Sequence, residues 1–270
     1  MYCKMIVLDI DETLLNSNGG ITDRNKEVIG QALSQGIKVV LCSGRTHNAV
    51  TEYTNELNIK GSNQYIITNG GAIIENMQGK ILYKKMLDNK LYRSFFDFVQ
   101  MNKLHYNVVD EFGNTYTSTD DWIDKYTVLQ AFENDNGLYL RKPNDLPSDF
   151  KIIKAIINGT KAELDNVSEK VHEKFGRDYF VVRTGDGFLE ISSKEGDKGT
   201  AIISLADRLN IDLKNVLAIG DGENDLAMLK VAGKKIAMGN AVPAIKSIAD
   251  FITADNNNSG VAIAIEKYAF

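Results

Sequence analysis

The sequence predicts a doubly wound parallel α/β sheet interrupted by an inserted α+β domain, and three observations carry that prediction. Short apolar runs at 4–10, 37–42 and 216–219 alternate with stretches of helical spacing near both ends of the chain. These runs are nearly continuous, as strands buried on both faces of a parallel sheet require. Residues 84–192 follow another rhythm, in which a helix and two strands recur as a unit.

In order, residues 4–10 form the first strand. Thr22 caps the helix that follows, Asp23 suits its positive end, Val28, Ile29, Ala32 and Leu33 make its apolar stripe, and Gly36 ends it. A second strand covers 37–42, loop and helix cover 43–57, and a third strand covers 65–68. Residues 72–75 and 80–83 make a hairpin turned at Gln78-Gly79. The insertion opens with a helix over 91–101, whose Phe95, Phe96 and Phe98 read as core, followed by strands at 106–111 and 115–117. Residues 152–157 form a strand. A second helix over 162–175 leads to strands at 180–183 and 188–191 across Gly185-Asp186-Gly187, and Trp122 is assigned to the same core. The α/β alternation then resumes: helix 198–209, strand 216–219, helix 224–232, strand 235–237, helix 242–249, strand 251–253 and a last helix after the Asn256–Gly260 loop. A Rossmann-like core from 1–83 and 193–270 thus holds an insertion over 84–192, with hinges near 83–87 and 192–196.

The 270 residues, 43% of them hydrophobic, are enough for a substantial core. A net charge of -5 leaves no basic footprint for nucleic acid. The first apolar run stops at Asp9, too short for a signal peptide, and no stretch reaches the length of a membrane span, so a cytoplasmic protein is expected. Cys3 and Cys42 flank predicted strands and read as buried thiols. His47, His105 and His172 lack metal-ligand spacing.

Chemistry concentrates where buried strands end, the place at which open α/β sheets bind ligands. Asp9 and Asp11 are two apart on extended backbone, so both carboxylates can face one site. An isolated Asp-x-Asp also simply ends strands; a second acidic cluster, Asp221 and Asp225, after another buried strand favours the chemical reading. Clustered carboxylates facing a phosphate repel it and one another, and Mg²⁺, a hard oxygen-seeking ion, relieves both repulsions. Gly220 and Gly222 permit tight backbone beside Asn224. Ser43 and Gly44 begin a helix whose N–H groups can hold phosphate, although Ser is also an ordinary cap and Arg45 an ordinary surface charge. Lys198 opens a helix and can balance charge in a transition state.

With Asp9-Ile10-Asp11-Glu12-Thr13-Leu14-Leu15, Ser43-Gly44-Arg45, Lys198-Gly199 and Gly220-Asp221 through Asn224-Asp225 in this order, the chain resembles the haloacid dehalogenase-like superfamily of phosphohydrolases, and within it the Cof-type sugar-phosphatase-like group. Thr68-Asn69-Gly70-Gly71-Ala72, Gly239-Asn240-Ala241 and the position of the inserted cap share that likeness. The resemblance implies Asp9 as nucleophile and Asp11 as general acid and base. It implies Mg²⁺ bound by Asp9, the Asp11 backbone carbonyl and Asp221 with Asp225 in support, and the phosphoryl group held by Ser43, Gly44, Lys198 and Asn224. Glu12 departs from the pattern, which usually has Gly there. The implied function is hydrolysis of a small phosphorylated metabolite, a sugar phosphate, with no nucleic-acid or membrane partner. Phosphotransfer between sugars, as in phosphomutases, uses the same motifs. A phospho-accepting receiver uses similar residues, but has no need of a hundred-residue insertion. Cap contacts to the leaving group are sought at Asp110, Glu111 and Arg183. The oligomeric state is not legible.

Overall fold

A computed structural model describes residues 3–118, 123–185 and 187–270; Trp122 and Asp186 lie outside the described residues. In chain order the elements are β1 (Met5–Leu8), α1 (Asp23–Ser34), β2 (Lys38–Cys42), α2 (His47–Glu56), β3 (Gly61–Thr68), β4 (Ile73–Met77), β5 (Ile81–Lys84), α3 (Asn89–Met101), β6 (His105–Val109), β7 (Thr115–Thr117), α4 (Lys125–Glu133) and β8 (Leu138–Leu140). They continue with β9 (Lys154–Asn158), α5 (Lys161–Phe175), β10 (Tyr179–Thr184), β11 (Phe188–Ser193), α6 (Lys198–Arg208), β12 (Val216–Gly220), α7 (Leu226–Val231), β13 (Lys234–Ala237), α8 (Pro243–Ile248), β14 (Phe251–Ile252) and α9 (Gly260–Tyr268).

The chain forms two compact units. One holds Met1–Gly44, Val50–Lys84 and Asp197–Phe270; the other holds Arg45–Ala49 and Lys85–Gly196. In the first, an eight-stranded sheet runs β14-β13-β12-β1-β2-β3-β4-β5, parallel from β14 to β3 and closed by the antiparallel β4 and β5. This is the doubly wound order, with the strand sequence reversing between β1 and β12. β1, whose four residues are all buried, lies centrally between β2 and β12, which explains its unbroken apolar run. Thr22 caps α1 through its hydroxyl, which accepts from the Asn25 N–H at 3.3 Å.

The second unit is a six-stranded sheet in the order β10-β11-β9-β6-β7-β8, antiparallel except between β7 and β8. Leu91, Tyr92, Phe95 and Phe98 of α3 and Leu164, Val167 and Val171 of α5 share one apolar cluster with Tyr106, Ala155, Ile157, Leu189 and Ile191 of the strands. Phe95 and Phe98 are thus core, and Phe96 packs against it from a partly buried position.

The sequence reading did not anticipate α4 or β8. α4 leaves Val128 48%, Leu129 42% and Phe132 82% exposed, so its apolar residues do not form the single buried stripe that marks a helix in sequence. Among the described residues, no helix is long and apolar enough to cross a membrane. Cys3 and Cys42 are buried free thiols. Burial pushes the Cys3 thiol up to about 11 and raises that of Cys42 as well, which holds both in the unreactive neutral form.

Candidate active site

Asp9 leaves the end of β1 with extended backbone, and its N–H donates to the Ile219 carbonyl of β12 at 3.1 Å. That bond ties the ends of the two central strands together. Asp221 follows β12 directly, so both acidic clusters emerge at the carboxyl ends of two adjacent parallel strands. Oxygens of Asp9, Asp221 and Asp225 all lie within 4.8 Å of one another.

Lys198 joins this group from the first turn of α6. Its Nζ donates to Asp9 Oδ1 at 2.5 Å and to Asp225 Oδ1 at 2.6 Å, with all three side chains buried. The helix start is fixed by Asp197, whose Oδ1 accepts from the Gly199 and Thr200 N–H groups at 2.8 and 3.0 Å. It is also fixed from outside: a Cβ on Gly71 (φ +108) would stand 2.2 Å from the Asp197 carbonyl carbon, so only glycine lets that turn meet α6.

Asp225 Oδ2 accepts from the N–H groups of Asp221 and Gly222 at 2.9 and 3.2 Å. Thr13, which the sequence reading gave no role, donates through its hydroxyl to Asp221 Oδ1 at 2.7 Å. Each acid is therefore oriented by a partner on another motif. The spacing of Asp-x-Asp-x-Thr carried that information only once the Asp221 loop was known to lie alongside.

Between Ile10 and Leu14 the chain turns sharply, with Glu12 in the left-handed region (φ 56, ψ 4). That conformation explains why glycine suits this position. Here two residues from the far end of the sequence brace the turn: Asn240 Nδ2 donates to the Glu12 carbonyl at 2.8 Å, and Asn256 Nδ2 to the Glu12 carboxylate at 3.3 Å. Asp11 sits beside it with an exposed side chain that is not a member of the carboxylate trio.

Ser43 is buried at the end of β2. Its N–H donates to Ile67 and its carbonyl accepts from Gly70, both at 2.9 Å, so the turn after β3 wraps it. Gly44 is the last residue of the first unit before Arg45. Asn224 is exposed and lies over the Gly222 backbone, where a Cβ would stand 2.6 Å from its Oδ1.

Three carboxylates and one ammonium leave two negative charges uncompensated in a mostly buried cluster. The protonation equilibria report the strain. Burial raises the Asp9 carboxyl well above the usual carboxylate range, Asp225 pushes it further, and Lys198 only partly offsets them. Burial likewise raises Asp221 to about 6 against the Thr13 hydrogen bond. Burial works against the Lys198 ammonium, yet Asp225 and Asp9 outweigh it and hold the lysine charged. An all-oxygen donor set carrying surplus negative charge fits a hard divalent cation. Oxygens about 2 Å from one ion lie at most about 4 Å apart, so the trio needs only a small contraction to share it.

Residues 6–265 match the family of haloacid dehalogenase-like hydrolases. The chain is similar to YxeH of Bacillus subtilis, 33% identical over 268 residues that span 99% of this chain and 98% of the relative. It is also similar to phosphatase YwpJ of the same organism, 30% identical over 96% of this chain and 97% of the relative. A crystal structure of a haloacid dehalogenase-like hydrolase from Bacteroides thetaiotaomicron superposes with a TM-score of 0.86 at 32% identity, covering 98% and 99% of the two chains. Likeness of this extent sets aside the receiver reading. The chain is therefore a member of the haloacid dehalogenase-like hydrolase family, and as an enzyme a phosphoric monoester hydrolase.

Proposed function

We propose that this protein hydrolyses a small phosphorylated metabolite, a sugar or polyol phosphate, through an aspartyl phosphate on Asp9 and with Mg²⁺ as cofactor. The observation that carries this reading is the convergence of Asp9 from the end of β1, Asp221 and Asp225 from the loop after β12, and Lys198 from the first turn of α6 into one mostly buried, net-negative cluster.

Lys198 holds Asp9 Oδ1, which leaves Oδ2 to attack phosphorus. The P–O bond to the leaving group breaks as the Asp9–phosphorus bond forms. Asp11, exposed and two residues beyond the nucleophile in the chain, would give its proton to the departing oxygen. It then removes a proton from the water that attacks the aspartyl phosphate, releasing inorganic phosphate and restoring the Asp9 carboxylate. Ser43, Gly44, Lys198 and Asn224 would bind the transferring oxygens, with the Lys198 charge opposing the negative charge that develops there. Mg²⁺, held by Asp9, Asp221, Asp225 and the Asp11 carbonyl, would supply neutralisation of the repulsion between carboxylate and phosphate. Asp225, bonded to two backbone N–H groups and Lys198, chiefly fixes the geometry of the other acids.

Release of phosphate from p-nitrophenyl phosphate and a panel of sugar phosphates should require Mg²⁺, and Asp9→Asn should lower kcat by at least about 1000-fold. An unchanged rate in Asp9→Asn would remove the nucleophile assignment. Phosphorus NMR separates free phosphate from an isomerised sugar phosphate, the product a mutase would give.

A further inference from the structure

Asp110 and Arg183 are each held inside the inserted unit. Asp110 accepts from the N–H groups of Phe112 and Asn114, the Asn114 amide and the Tyr116 hydroxyl, all at 2.9–3.0 Å. Arg183 pairs with Asp165 of α5 at 3.3 Å and donates to the Gly185 carbonyl at 3.1 Å. A feature that no reaction step uses lies in the other unit, at the far end of its sheet from Asp9.

There a cavity of about 290 Å³ opens between the chain entering β1, the turn from α1 into β2 and the turn that leaves α6. Every lining residue belongs to the unit that carries the acidic cluster. The cavity stands at the amino ends of β1 and β2, whereas Asp9 leaves the carboxyl end of β1. Extended chain from Lys4 to Asp9 spans roughly 16 Å, so a molecule in this cavity is not the one whose phosphoryl group reacts.

The walls are preformed. α1 and α6 end in the same way, with Gly36 (φ 80) and Asn210 (φ 52) in the left-handed region. The Gly36 and Ile37 N–H groups donate to the Leu33 and Ala32 carbonyls at 3.0 and 3.1 Å, and the Asn210 and Ile211 N–H groups donate to the Asp207 and Ala206 carbonyls at 3.1 and 2.9 Å. With those backbone groups paired, the two turns are fixed, and Ile37, Leu209 and Ile211 give the cavity apolar walls continuous with the hydrophobic core.

The lining includes two cations and no acid. Lys38 is half-buried, and among the described residues no carboxylate pairs with its ammonium. Burial, with no acid to oppose it, lowers its pKa from the ordinary lysine value. Lys4 is exposed and lies within electrostatic reach of Asp212, which Lys214 already pairs at 2.8 Å. An uncompensated ammonium held against apolar walls is satisfied by an anion whose body fills the space beside it. Since Lys38 is the one cation held against the walls, a singly charged carboxylate is matched better than a phosphate dianion. Size agrees: a cavity of about 150 Å³ takes benzene, so about 290 Å³ has room for a ring and a short acidic arm.

We propose that this cavity is a second ligand site, which binds a small carboxylate on an apolar body, with the carboxylate paired to Lys38 and the body against Ile37, Leu209 and Ile211. Phenylacetate is the probe, acetate stands for its head alone and 2-phenylethanol for its body alone. In ¹H–¹⁵N spectra of the full chain, phenylacetate should shift the amides of Ile37, Lys38, Asn210 and Ile211 with a dissociation constant of about 1 mM. Acetate and 2-phenylethanol should each bind at least about 10-fold more weakly. Lys38→Met keeps the stem and removes the charge; it should weaken phenylacetate about 10-fold and change 2-phenylethanol by less than about 2-fold, while Lys38→Arg retains most of the affinity. Shifts confined to the neighbourhood of Asp9, Lys198 and Asp221, no shifts at about 20 mM, equal affinity for 2-phenylethanol, or unchanged affinity in Lys38→Met would each overturn the proposal. Should Lys38→Met fail to fold, the three probes on the wild type decide alone: preference for phenylacetate over both fragments supports the site, and lack of it removes the site. The spectra need no turnover, so this result stands apart from that of the phosphatase assay.

Discussion

Glu12 shows how a single residue can break a local rule and be held in place from elsewhere. A side chain at φ 56 costs on the order of 1 kcal/mol relative to glycine, and Asn240 and Asn256 hold the turn that imposes it. The Glu12 charge also raises the Asp221 carboxyl, which places it within electrostatic reach of the acidic cluster. Glu12→Gly therefore removes strain and a nearby charge together. Its expected effects are opposite in sign: Tm rises by about 2–4 °C, while Mg²⁺ titrations shift to weaker binding by a few-fold. Calorimetric scans and Mg²⁺ isotherms on the two proteins measure both effects, and superposable Mg²⁺ isotherms would show that Glu12 has no bearing on the metal. The Thr13–Asp221 bond belongs to the same scale: it joins residues far apart in sequence, and nothing in either residue's own neighbourhood announces the partner.

Among the elements, α6 does most to assemble the site, since it carries Lys198 into contact with Asp9 and Asp225. Its start is pinned by the Asp197 cap on one side and by the turn at Gly71 on the other. Gly71→Ala would drive a methyl group into the Asp197–Lys198 peptide, whereas Gly79→Ala, at φ +78 with nothing within 4 Å, bears backbone strain alone. Urea denaturation should give a loss of about 1 kcal/mol for Gly79→Ala and clearly more for Gly71→Ala. Only Gly71→Ala should lower kcat, because only it moves the lysine; equal stability losses and unchanged kcat in both would remove the bracing role. Much of this element structure was legible in the sequence. Asp9, Ser43 and Asp221 each follow an unbroken apolar run because a central parallel strand is buried on both faces, and the Thr22 position follows from capping chemistry. α4 was not legible, because its exposed Val128, Leu129 and Phe132 erase the one-sided pattern. Nor was the role of Gly71, since a close approach between two backbones leaves no periodic trace.

At the scale of the whole molecule, stability and the acidic cluster are linked through protons and metal. Burial raises the Asp221 carboxyl to about 6, above the usual carboxylate range, and raises that of Asp9 as well. A carboxyl raised on folding contributes stability that is complete below its unfolded value and is lost as pH rises through its folded value. The metal-free protein is thus relieved of repulsion at pH 5, where protons occupy the cluster, and bears more of it at pH 7.5, above the value of Asp221. A divalent cation substitutes for those protons. Mg²⁺ at about 100 times its dissociation constant would add about 2.7 kcal/mol, a rise of roughly 5–10 °C in Tm for a chain of this size. The rise should be large at pH 7.5, small at pH 5, and abolished by EDTA. Asp221→Asn should behave oppositely to the wild type in the absence of metal: more stable at pH 7.5, because one repelling charge is gone, and little stabilised by Mg²⁺ at either pH. Equal Mg²⁺ shifts at both pH values, or an undiminished shift in Asp221→Asn, would mean that the ion binds somewhere other than these carboxylates.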